Sequence, residues 1–336
     1  MTNSRLTCMA AGAVVALMLS GCGAGNAVDG TQGENVLRLA LNQSEDHPSY
    51  VALEGFAEFL DESEEDLSLD VYPNEVLGAQ AEVMQLVGEG VVDMAVVSGA
   101  QLENVNDDFI AFNVPRVFDD VDHQMDVVQD PAITGDLYSS LESSNGFTVL
   151  GGLTQGTRSI YTSFGAVETP EDMAGAKLRV QESDLNIAVA DALGASATPM
   201  SFGELYTGLQ AGVVDAAENN EVSYFTQSHY EVAPHWSMTE HLIGLDYVLI
   251  NAERFDEMTD AQREVFLDGW ELAWQEHTDL WAEETEEAIE AAKEDGAEFH
   301  EVDHEAFAEP LDAVAEDFIT TDTQRELYEA AREEAP

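Results

Sequence analysis

Cysteine is almost absent from this chain of 336 residues, and its scarcity narrows the chemistry that the protein can perform. The only two cysteines, Cys8 and Cys22, both lie in the first 22 residues. The rest of the chain therefore has no disulfide framework, no zinc site built from thiolates and no cysteine nucleophile. A phosphate loop, a dinucleotide fingerprint, G-x-S-x-G and H-E-x-x-H are also missing from the sequence. We therefore predict no enzyme activity, no cofactor and no metal.

Basic residues are equally scarce. Eleven Lys and Arg stand against 68 Asp and Glu, which gives a formal net charge of −57, and Lys177 and Lys293 are the only lysines. Such a surface repels nucleic acid and anionic lipid. The acidic residues are spread along the whole chain rather than clustered. We therefore interpret the acidic residues as a means of keeping the protein soluble in a salty exterior rather than as a cation-binding surface. This interpretation suggests a halophile.

Long hydrophobic runs are also rare, and the first one is typical of an export signal. Arg5 is followed by an apolar run over residues 6–19 and then by the sequence L-S-G-C, which ends at Cys22. The run is shorter than the roughly 20 residues of a membrane-spanning helix, whereas its positive start and small residues fit a secretory signal. L-S-G-C resembles a bacterial lipobox, in which cleavage leaves the cysteine as the first, lipid-bearing residue; the alternative is an ordinary signal peptide that contains a cysteine.

We therefore predict a lipoprotein signal peptide over residues 1–21 and a lipid on Cys22. A flexible tether over residues 22–34 is rich in Gly, Asn, Thr and Gln. The predicted location is the periplasm or the extracellular space, with the lipid anchored at the outer face of the cytoplasmic membrane.

After residue 34 the hydrophobic pattern alternates between strands and helices, which is typical of an α/β protein. Helices are predicted over residues 47–60 and 80–87. Strands are predicted over residues 36–41, 67–72, 91–97, 147–153, 159–162 and 177–180, and a further strand from Val213.

Two capping boxes predict where later helices begin. S-x-x-E at residues 201–204 predicts a helix that ends at Gly212, and T-x-x-Q at residues 259–262 predicts one that continues to about Glu294. The second helix would be about 50 Å long at 1.5 Å per residue. Its tryptophans lie on one face, and we interpret them as core rather than as a ligand platform: Trp270, Trp274 and Trp281.

The scarce arginines are the most informative polar residues. Arg158 lies where a loop becomes a strand, and Arg179 lies within the strand predicted over residues 177–180. A guanidinium on an interior strand needs a partner. From the residues alone, the partner is either a buried acid or the carboxylate of a ligand held in a bidentate fork.

Two histidines near the carboxyl end offer a weaker signal. His300 and His304 share helical spacing, with Asp303 and Glu305 nearby. These side chains could hold a metal, but on so acidic a chain we favour a solvated face.

From Val36 onward the chain resembles the solute-binding proteins of tripartite ATP-independent periplasmic (TRAP) transporters. The resemblance is most specific in TPEDMAGAKLRV (residues 169–180) and in LGASATPMSFGELYTGLQAGVVDAAEN (residues 193–219). Supporting segments follow in order: DHPSYVALEGFAEFL, VYPNEVLG, GEGVVDMAV, GTRSIYTS and YEVAPHWSMTEH. The resemblance implies a two-lobed α/β fold like that of type II periplasmic binding proteins, with hinge strands and a long bracing helix. Lobe I would comprise residues 35–156 and 245–284, and lobe II residues 157–244 and 285–336.

The same resemblance implies the residues of a ligand site between the lobes. Arg179 matches the arginine that forms the salt bridge to the ligand carboxylate. Arg158 and Asn219 match residues that complete the hydrogen bonds, and Phe202 matches an aromatic residue that packs on the ligand. Asn42 ends the first strand, where a polar residue often faces the cleft.

Three positions depart from the family pattern or qualify it. The family usually shows G-Q-E-N-P where this chain has residues 216–220 as A-A-E-N-N, which loosens the match at Asn219. Gln181 replaces the proline that commonly follows R-V, and we expect it to face the ligand. Ser98 stands where sialic-acid binders carry a glutamate, which counts against sialic acid.

The implied function is that of the extracytoplasmic binding component of a TRAP transporter, not that of an enzyme. It would capture a small organic acid, such as a C4-dicarboxylate or a sugar acid, and deliver it to integral-membrane subunits. One alternative is a zwitterionic, ectoine-like compatible solute, with its cation held by acidic and aromatic side chains. A secreted hydrolase with paired carboxylates, which no motif supports, and a sensor or scaffold lipoprotein with the same cleft are the remaining alternatives.

Overall fold

The computed structural model describes residues 35–333, which belong to one compact unit that begins at Asn35. The predicted signal peptide, the lipid-bearing Cys22 and the tether lie outside the described residues. Within residues 35–333, no helix combines the length and the apolar character that crossing a bilayer requires.

One mixed sheet organises the described chain. Its strands follow the order β2-β1-β3-β8-β4-β7-β5-β6, and β9 pairs separately with β8. The strands are β1 (Val36–Ala40), β2 (Ser68–Tyr72), β3 (Met94–Ser98), β4 (Phe147–Thr162), β5 (Lys177–Val180), β6 (Ser196–Pro199), β7 (Ala216–Asn219), β8 (His235–Asn251) and β9 (Glu298–His300).

Helices cover the two faces of this sheet. They are α1 (Pro48–Glu62), α2 (Gln80–Gly88), α3 (Gly99–Glu103), α4 (Val121–Val128), α5 (Pro131–Ser139), α6 (Glu142–Asn145), α7 (Asp184–Ala192), α8 (Leu205–Gln210), α9 (Glu221–Thr226), α10 (Ala252–Asp256), α11 (Asp260–Glu294), α12 (His304–Phe318) and α13 (Asp322–Glu333). Short 3₁₀ helices occupy Asp107–Phe112, Pro170–Met173, Phe202–Glu204 and His229–Glu231.

The sheet consists of two parallel groups joined by two long strands. β1 runs parallel to β2 and β3, and β5 runs parallel to β6 and β7. β4 and β8 are antiparallel to each other and pair from Phe147 opposite Asn251 to Thr162 opposite His235. Because β8 also pairs with β3 and β4 with β7, these two strands connect both groups. The predicted two-lobed α/β fold with connecting strands is confirmed.

The prediction of two separate strands in the region of β4 is wrong. The pattern predicted separate strands over residues 147–153 and 159–162, but one strand of 16 residues runs through both. The intervening T-Q-G-T-R segment remains extended because it continues to pair with β8, although the register shifts between Thr154 and Thr157. Its side chains are polar yet mostly buried, so the hydrophobic alternation is lost while the strand continues.

β3 begins three residues later than the predicted start at residue 91. The carboxylate of Asp93 accepts hydrogen bonds from the backbone N–H of Arg38 at 2.9 Å and from its Nε at 3.1 Å. Asp93, the residue just before β3, therefore uses its side chain to bond β1. β8, the longest strand at 17 residues, had no sequence prediction.

The long helix α11 braces the molecule as predicted. Its capping box forms at Thr259, whose hydroxyl accepts a hydrogen bond from the N–H of Gln262 at 3.2 Å. The helix packs against α1 and against α9. Trp270 and Trp281 are buried and Trp274 is half-buried, so the aromatic stripe is core.

The capping box predicted at residues 201–204 does not form. The hydroxyl of Ser201 donates to the carboxylate of Glu204 at 2.8 Å instead of accepting from the backbone, and the segment begins as a 3₁₀ helix. α8 then ends at Gln210, just before Gly212, which has a φ of +68°.

Candidate ligand-binding cleft

The carboxyl ends of the parallel strands meet at one cavity. Asn42 lies just beyond β1, Ser98 ends β3, Gln181 follows β5 and Asn219 ends β7. In open α/β sheets, ligands bind outside the carboxyl ends of the strands. The cavity is partly open, and its roughly 470 Å³ of atom-free space includes the solvent at its mouth. All seven predicted ligand-binding side chains line it: Asn42, Ser98, Arg158, Arg179, Gln181, Phe202 and Asn219.

Arg179 presents a buried guanidinium with unused donors. Its Nε and Nη2 donate to the carbonyl oxygen of Met200 at 3.0 and 2.8 Å. Its Nη1 is buried without a hydrogen-bond partner, and no carboxylate of residues 35–333 forms an ion pair with it. Burial lowers the pKa of Arg179, and the charge of Glu218 offsets this effect only in part. Arginine nevertheless stays protonated in proteins, so the cavity wall carries a positive charge that forms no direct ion pair within residues 35–333.

Arg158, by contrast, is saturated by the protein. Its Nε and Nη2 hold the two carboxylate oxygens of Glu218 at 2.6 and 2.8 Å, and Nη2 also donates to the Glu218 carbonyl at 3.1 Å. Its Nη1 donates to Oε1 of Gln155 at 2.5 Å and to Oδ1 of Asn219 at 2.9 Å. These contacts use all five N–H groups of the guanidinium. The sequence left open whether each arginine pairs with a buried acid or with a ligand carboxylate. Arg158 pairs with the buried Glu218, whereas Arg179 pairs with no acid in the described part of the chain.

The charge of Glu218 is stabilised by the same contacts. Burial alone would raise its pKa, but the positive charge of Arg158 and the nearby His241, whose Nε2 lies 3.7 Å from Oε2, outweigh burial and lower the pKa to about 2. Burial likewise acts to lower the pKa of Arg158, and Glu218 reverses this shift so that the net pKa is raised. The pair is therefore ionised throughout the neutral range.

Several other polar atoms at the cavity have no hydrogen-bond partner among residues 35–333. Buried polar atoms in proteins almost always have hydrogen-bond partners, so a group of unpartnered atoms in one cavity is unusual. The unpartnered atoms that belong to cavity-lining residues are Asn42 Oδ1, Gln43 Oε1, Glu75 Oε1, Ser98 Oγ and Arg179 Nη1. The arrangement suits a ligand that supplies one anionic acceptor and several hydrogen-bond donors.

Glu75 brings a second charge to the cavity. It lies on the loop after β2, where Asn74 and Glu75 adopt φ values of +57° and +54°. Burial raises the pKa of Glu75, while the backbone N–H of Gly203 and the charge of Arg179 act in the opposite direction. A Cβ atom at Gly203 would collide with Oε2 of Glu75, so the glycine permits this close approach.

Phe202 lies beside Arg179. The Cζ atom of Arg179 is 5.9 Å from the centroid of the Phe202 ring, and the centroids of the Phe202 and His229 rings are 5.8 Å apart in a T-shaped arrangement. Because Phe202 is only half-buried, part of its ring remains available to cover an apolar face of a ligand.

Several residues of the cavity were not predicted from the sequence. Glu75 and Gln80 follow β2, in or beside the recognised segment VYPNEVLG, and Gln155 lies in the polar middle of β4. Their positions just after or within strands were the available signal. The other cavity residues without a prediction are Gln43, Ala79, Ala81, Gln101, Glu182, Met200 and Ser201.

Comparisons with known proteins agree with this geometry. A model of the bacterial extracellular solute-binding proteins, family 7, matches residues 39–322. A solute-binding protein of Chromohalobacter salexigens is 31% identical over 324 residues, which cover 95% of this chain and 94% of the relative.

Solved structures give the same result. A TRAP periplasmic solute-binding protein of Anaerococcus prevotii with bound D-glucuronate has a TM-score of 0.86 at 34% identity, covering 89% of this chain and 98% of that chain. Another from Bradyrhizobium sp. BTAi1, in complex with D-galacturonate, has a TM-score of 0.85 at 28% identity, covering 89% and 100%.

Proposed function

Because this chain belongs to family 7 of the bacterial extracellular solute-binding proteins, we propose that its cleft captures a hexuronate such as D-glucuronate or D-galacturonate. The protein is the periplasmic or extracellular solute-binding component of a TRAP transporter and not an enzyme. It captures a carboxylate-bearing solute and works with the transporter's membrane subunits. The choice of a hexuronate rests on the unpartnered atoms of the cavity.

Arg179 is the proposed partner of the ligand carboxylate. The carbonyl oxygen of Met200 accepts from Nε and from one N–H of Nη2. Nη1 and the second N–H of Nη2 are therefore left for a bidentate contact with a ligand carboxylate. A charge-assisted pair in this water-poor site is stronger than the same pair in bulk water. Binding would also compensate a positive charge that is buried without a counterion.

The remaining unpartnered atoms favour a ligand with hydroxyl groups. Asn42, Gln43 and Glu75 each present an acceptor oxygen, and Ser98 presents a hydroxyl. A hexuronate carries one carboxylate and several hydroxyl donors, and therefore satisfies both sets. A C4-dicarboxylate has no hydroxyl to offer in its simplest form, and its second carboxylate would meet the acceptor oxygens and the charge of Glu75.

Arg158, Asn219, Phe202 and Gln181 complete the proposed site. All N–H groups of Arg158 already have partners in the protein, so we assign it a positioning role. Its Nη1 holds Oδ1 of Asn219, which would direct the NH₂ group of Asn219 toward the ligand. Phe202 would cover an apolar face of the sugar ring, and Gln181 would bond a hydroxyl from the rim.

A zwitterionic, ectoine-like solute is the second candidate. Glu75 and Phe202 both lie next to Arg179, so a cation could contact the carboxylate and the aromatic ring while Arg179 holds a carboxylate. The number of unpartnered oxygens nevertheless fits a polyhydroxylated ligand better.

We place the division between the proposed lobes at the middle one of three register shifts that β4 shows against β8. Thr154 pairs with Leu245 and Thr157 with Ile243, so the bulge lies opposite Gly244. This position agrees with the predicted boundaries at 156/157 and 244/245. The second crossing to lobe II, at 284/285 in α11, and the lipid anchor on Cys22 rest on the sequence resemblance alone.

Thermal unfolding against a ligand panel tests the proposal. The panel comprises D-glucuronate, D-galacturonate, D-glucose, succinate and ectoine at high salt. A ligand at 100 times its dissociation constant should stabilise the protein by about 2.7 kcal/mol. We expect a shift of the melting temperature with the hexuronates and none with glucose or succinate. Stabilisation by succinate or ectoine without stabilisation by either hexuronate would overturn the choice of ligand class.

Arg179→Ala tests the site itself. Hexuronate binding should be lost while the protein remains folded. Arg116→Ala is the matched control, because Arg116 forms a solvent-exposed ion pair with Asp312 and does not line the cleft. Micromolar hexuronate binding retained by Arg179→Ala would contradict the assignment.

A further inference from the structure

Two imidazoles and a carboxylate come together where β9 joins β8. The two strands are parallel, with His235 opposite Glu298 and Ser237 opposite His300. Nδ1 of His235 lies 3.3 Å from Nε2 of His300 and 3.7 Å from Oε2 of Glu298. None of the three residues lines the ligand cleft.

We propose that His235, Glu298 and His300 bind one divalent transition-metal ion of the Zn²⁺, Ni²⁺ and Cu²⁺ class. One ligand atom from each residue lies within 4.8 Å of the others. Donors about 2.1 Å from a tetrahedral metal are separated by roughly 3.4 Å, so two of the three separations are already close to those of a site. Imidazole nitrogens suit Zn, Cu and Ni, and a carboxylate is a common third ligand.

The backbone holds two of these ligands in place before any metal binds. The N–H of Glu298 donates to the carbonyl oxygen of Pro234 at 2.7 Å, which fixes the register of β9 against β8. His235 and His300 are half-buried, and their rings lie 5.5 Å apart at an interplanar angle of 33°. Only Glu298 is largely exposed, so its side chain is the ligand that adjusts its position.

This grouping differs from the one that the sequence suggested. His300 and His304 share helical spacing in the sequence, but His300 ends β9 whereas His304 begins α12. His300 therefore faces His235, which is distant in the sequence. A bound ion would link the start of β8 to the strand that follows the bracing helix α11.

Metal titration of the purified protein in molar salt tests the site, because high salt screens weak binding to scattered carboxylates. Isothermal titration with Zn²⁺ should show one site per chain. We expect the affinity to fall by at least ~10-fold in His235→Gln and in His300→Gln. His304→Gln is the matched control and should bind Zn²⁺ like the unmodified protein.

Electron paramagnetic resonance with one equivalent of Cu²⁺ identifies the ligands directly. We expect coupling to two imidazole nitrogens in the unmodified protein and to one in His300→Gln. Unchanged circular dichroism and an unchanged hexuronate response would show that the variants are folded. Absence of a one-to-one Zn²⁺ site, equal affinities in all variants, or a copper signal without nitrogen coupling would each overturn the proposal while leaving the ligand cleft untouched.

Discussion

Arg158 and Arg179 differ in how many of their N–H donors already have hydrogen-bond partners within the protein. Arg158 neutralises a carboxylate that is almost fully buried, whereas within residues 35–333 Arg179 bonds only to a carbonyl oxygen and forms no ion pair. Removing one partner of a buried ion pair leaves an uncompensated charge, which typically costs about 3–5 kcal/mol. The two arginines should therefore respond differently to the same substitution.

We predict that Arg158→Ala lowers the free energy of unfolding by about 3–5 kcal/mol, because Glu218 is left buried without its partner. Arg179→Ala should change the stability of the ligand-free protein much less, since it removes a charge that is not compensated. Urea unfolding without ligand measures both variants. Equal losses in the two variants would show that Arg179 has a structural partner that plays the same part as Glu218.

Glu75 should determine which acids are accepted. A negative charge beside the site of ligand capture discriminates against a second carboxylate on the ligand. We predict that Glu75→Gln retains hexuronate binding, because the amide oxygen still accepts a hydroxyl, and raises the affinity for succinate by roughly tenfold. Calorimetric titration gives both constants, with Glu89→Gln as a control because Glu89 is exposed and outside the cleft. An unchanged preference between the two acids would remove Glu75 from the site.

At the scale of the elements, two buried histidines connect three helices. His47 caps α1 by accepting from the N–H of Ser49 at 3.1 Å, and its Nε2 lies 3.3 Å from the hydroxyl of Ser223 on α9. His277 on α11 lies 3.2 Å from the hydroxyl of Ser49. Burial lowers the pKa of both imidazoles to about 3, and for His47 the proximity of His277 adds to this effect.

These pKa values predict that acid destabilises the helix junction. In the unfolded chain a histidine takes up a proton near pH 6.5, whereas the folded protein resists protonation until about pH 3. The stabilisation is therefore complete above pH 6.5 and declines as the pH falls from 6.5 toward 3. Urea unfolding at pH 7.5, 5.5 and 4.5 in molar salt measures the decline, which His277→Gln should make shallower. A variant whose stability falls as steeply as that of the unmodified protein would exclude His277 as the cause.

The elements that the sequence predicted well are those whose side chains pack on an apolar core. β1, β2, β5, α1, α2 and α11 show the expected periodicity, and their bounds agree with the predictions within about two residues. The middle of β4 does not show it, because Gln155 and Arg158 serve the cavity instead of the core. Thr259 forms its capping box at the surface, whereas Ser201 lines the cavity and bonds Glu204 instead.

For the candidate site as well, some residues could be predicted from the sequence and others could not. Residues that carry a family motif, such as Arg179 and Asn219, were predicted from the sequence as ligand-binding residues, and they line one cavity. Gln43 and Glu75 were missed because their part in the cavity depends on loop conformation, which includes a positive φ at Glu75. The absence of a counterion at Arg179 depends on side-chain packing and becomes visible only in three dimensions.

At the scale of the whole molecule, the net charge of −57 opposes both folding and the approach of an anionic solute. Self-repulsion destabilises a compact state of such high charge, and salt screens that repulsion because the Debye length falls from about 10 Å at 0.1 M to about 3 Å at 1 M. Stability should therefore rise with salt, as expected for a protein suited to a salty exterior.

Binding kinetics separate this long-range field from the local contacts of the cleft. The field should slow the encounter with an anion, whereas the proposed pair between Arg179 and the ligand carboxylate would form at a buried guanidinium that salt screens weakly. We predict that the association rate constant for a hexuronate increases when salt is raised from 0.1 to 1 M, while the dissociation rate constant changes little. Stopped-flow tryptophan fluorescence measures both, and uncharged D-glucose at matched salt controls for effects of salt on the fluorescence itself. An association rate constant that falls with salt would contradict this prediction. It would mean that the entrance to the cleft attracts anions despite the net charge, because positive potential from Arg179 extends to the solvent.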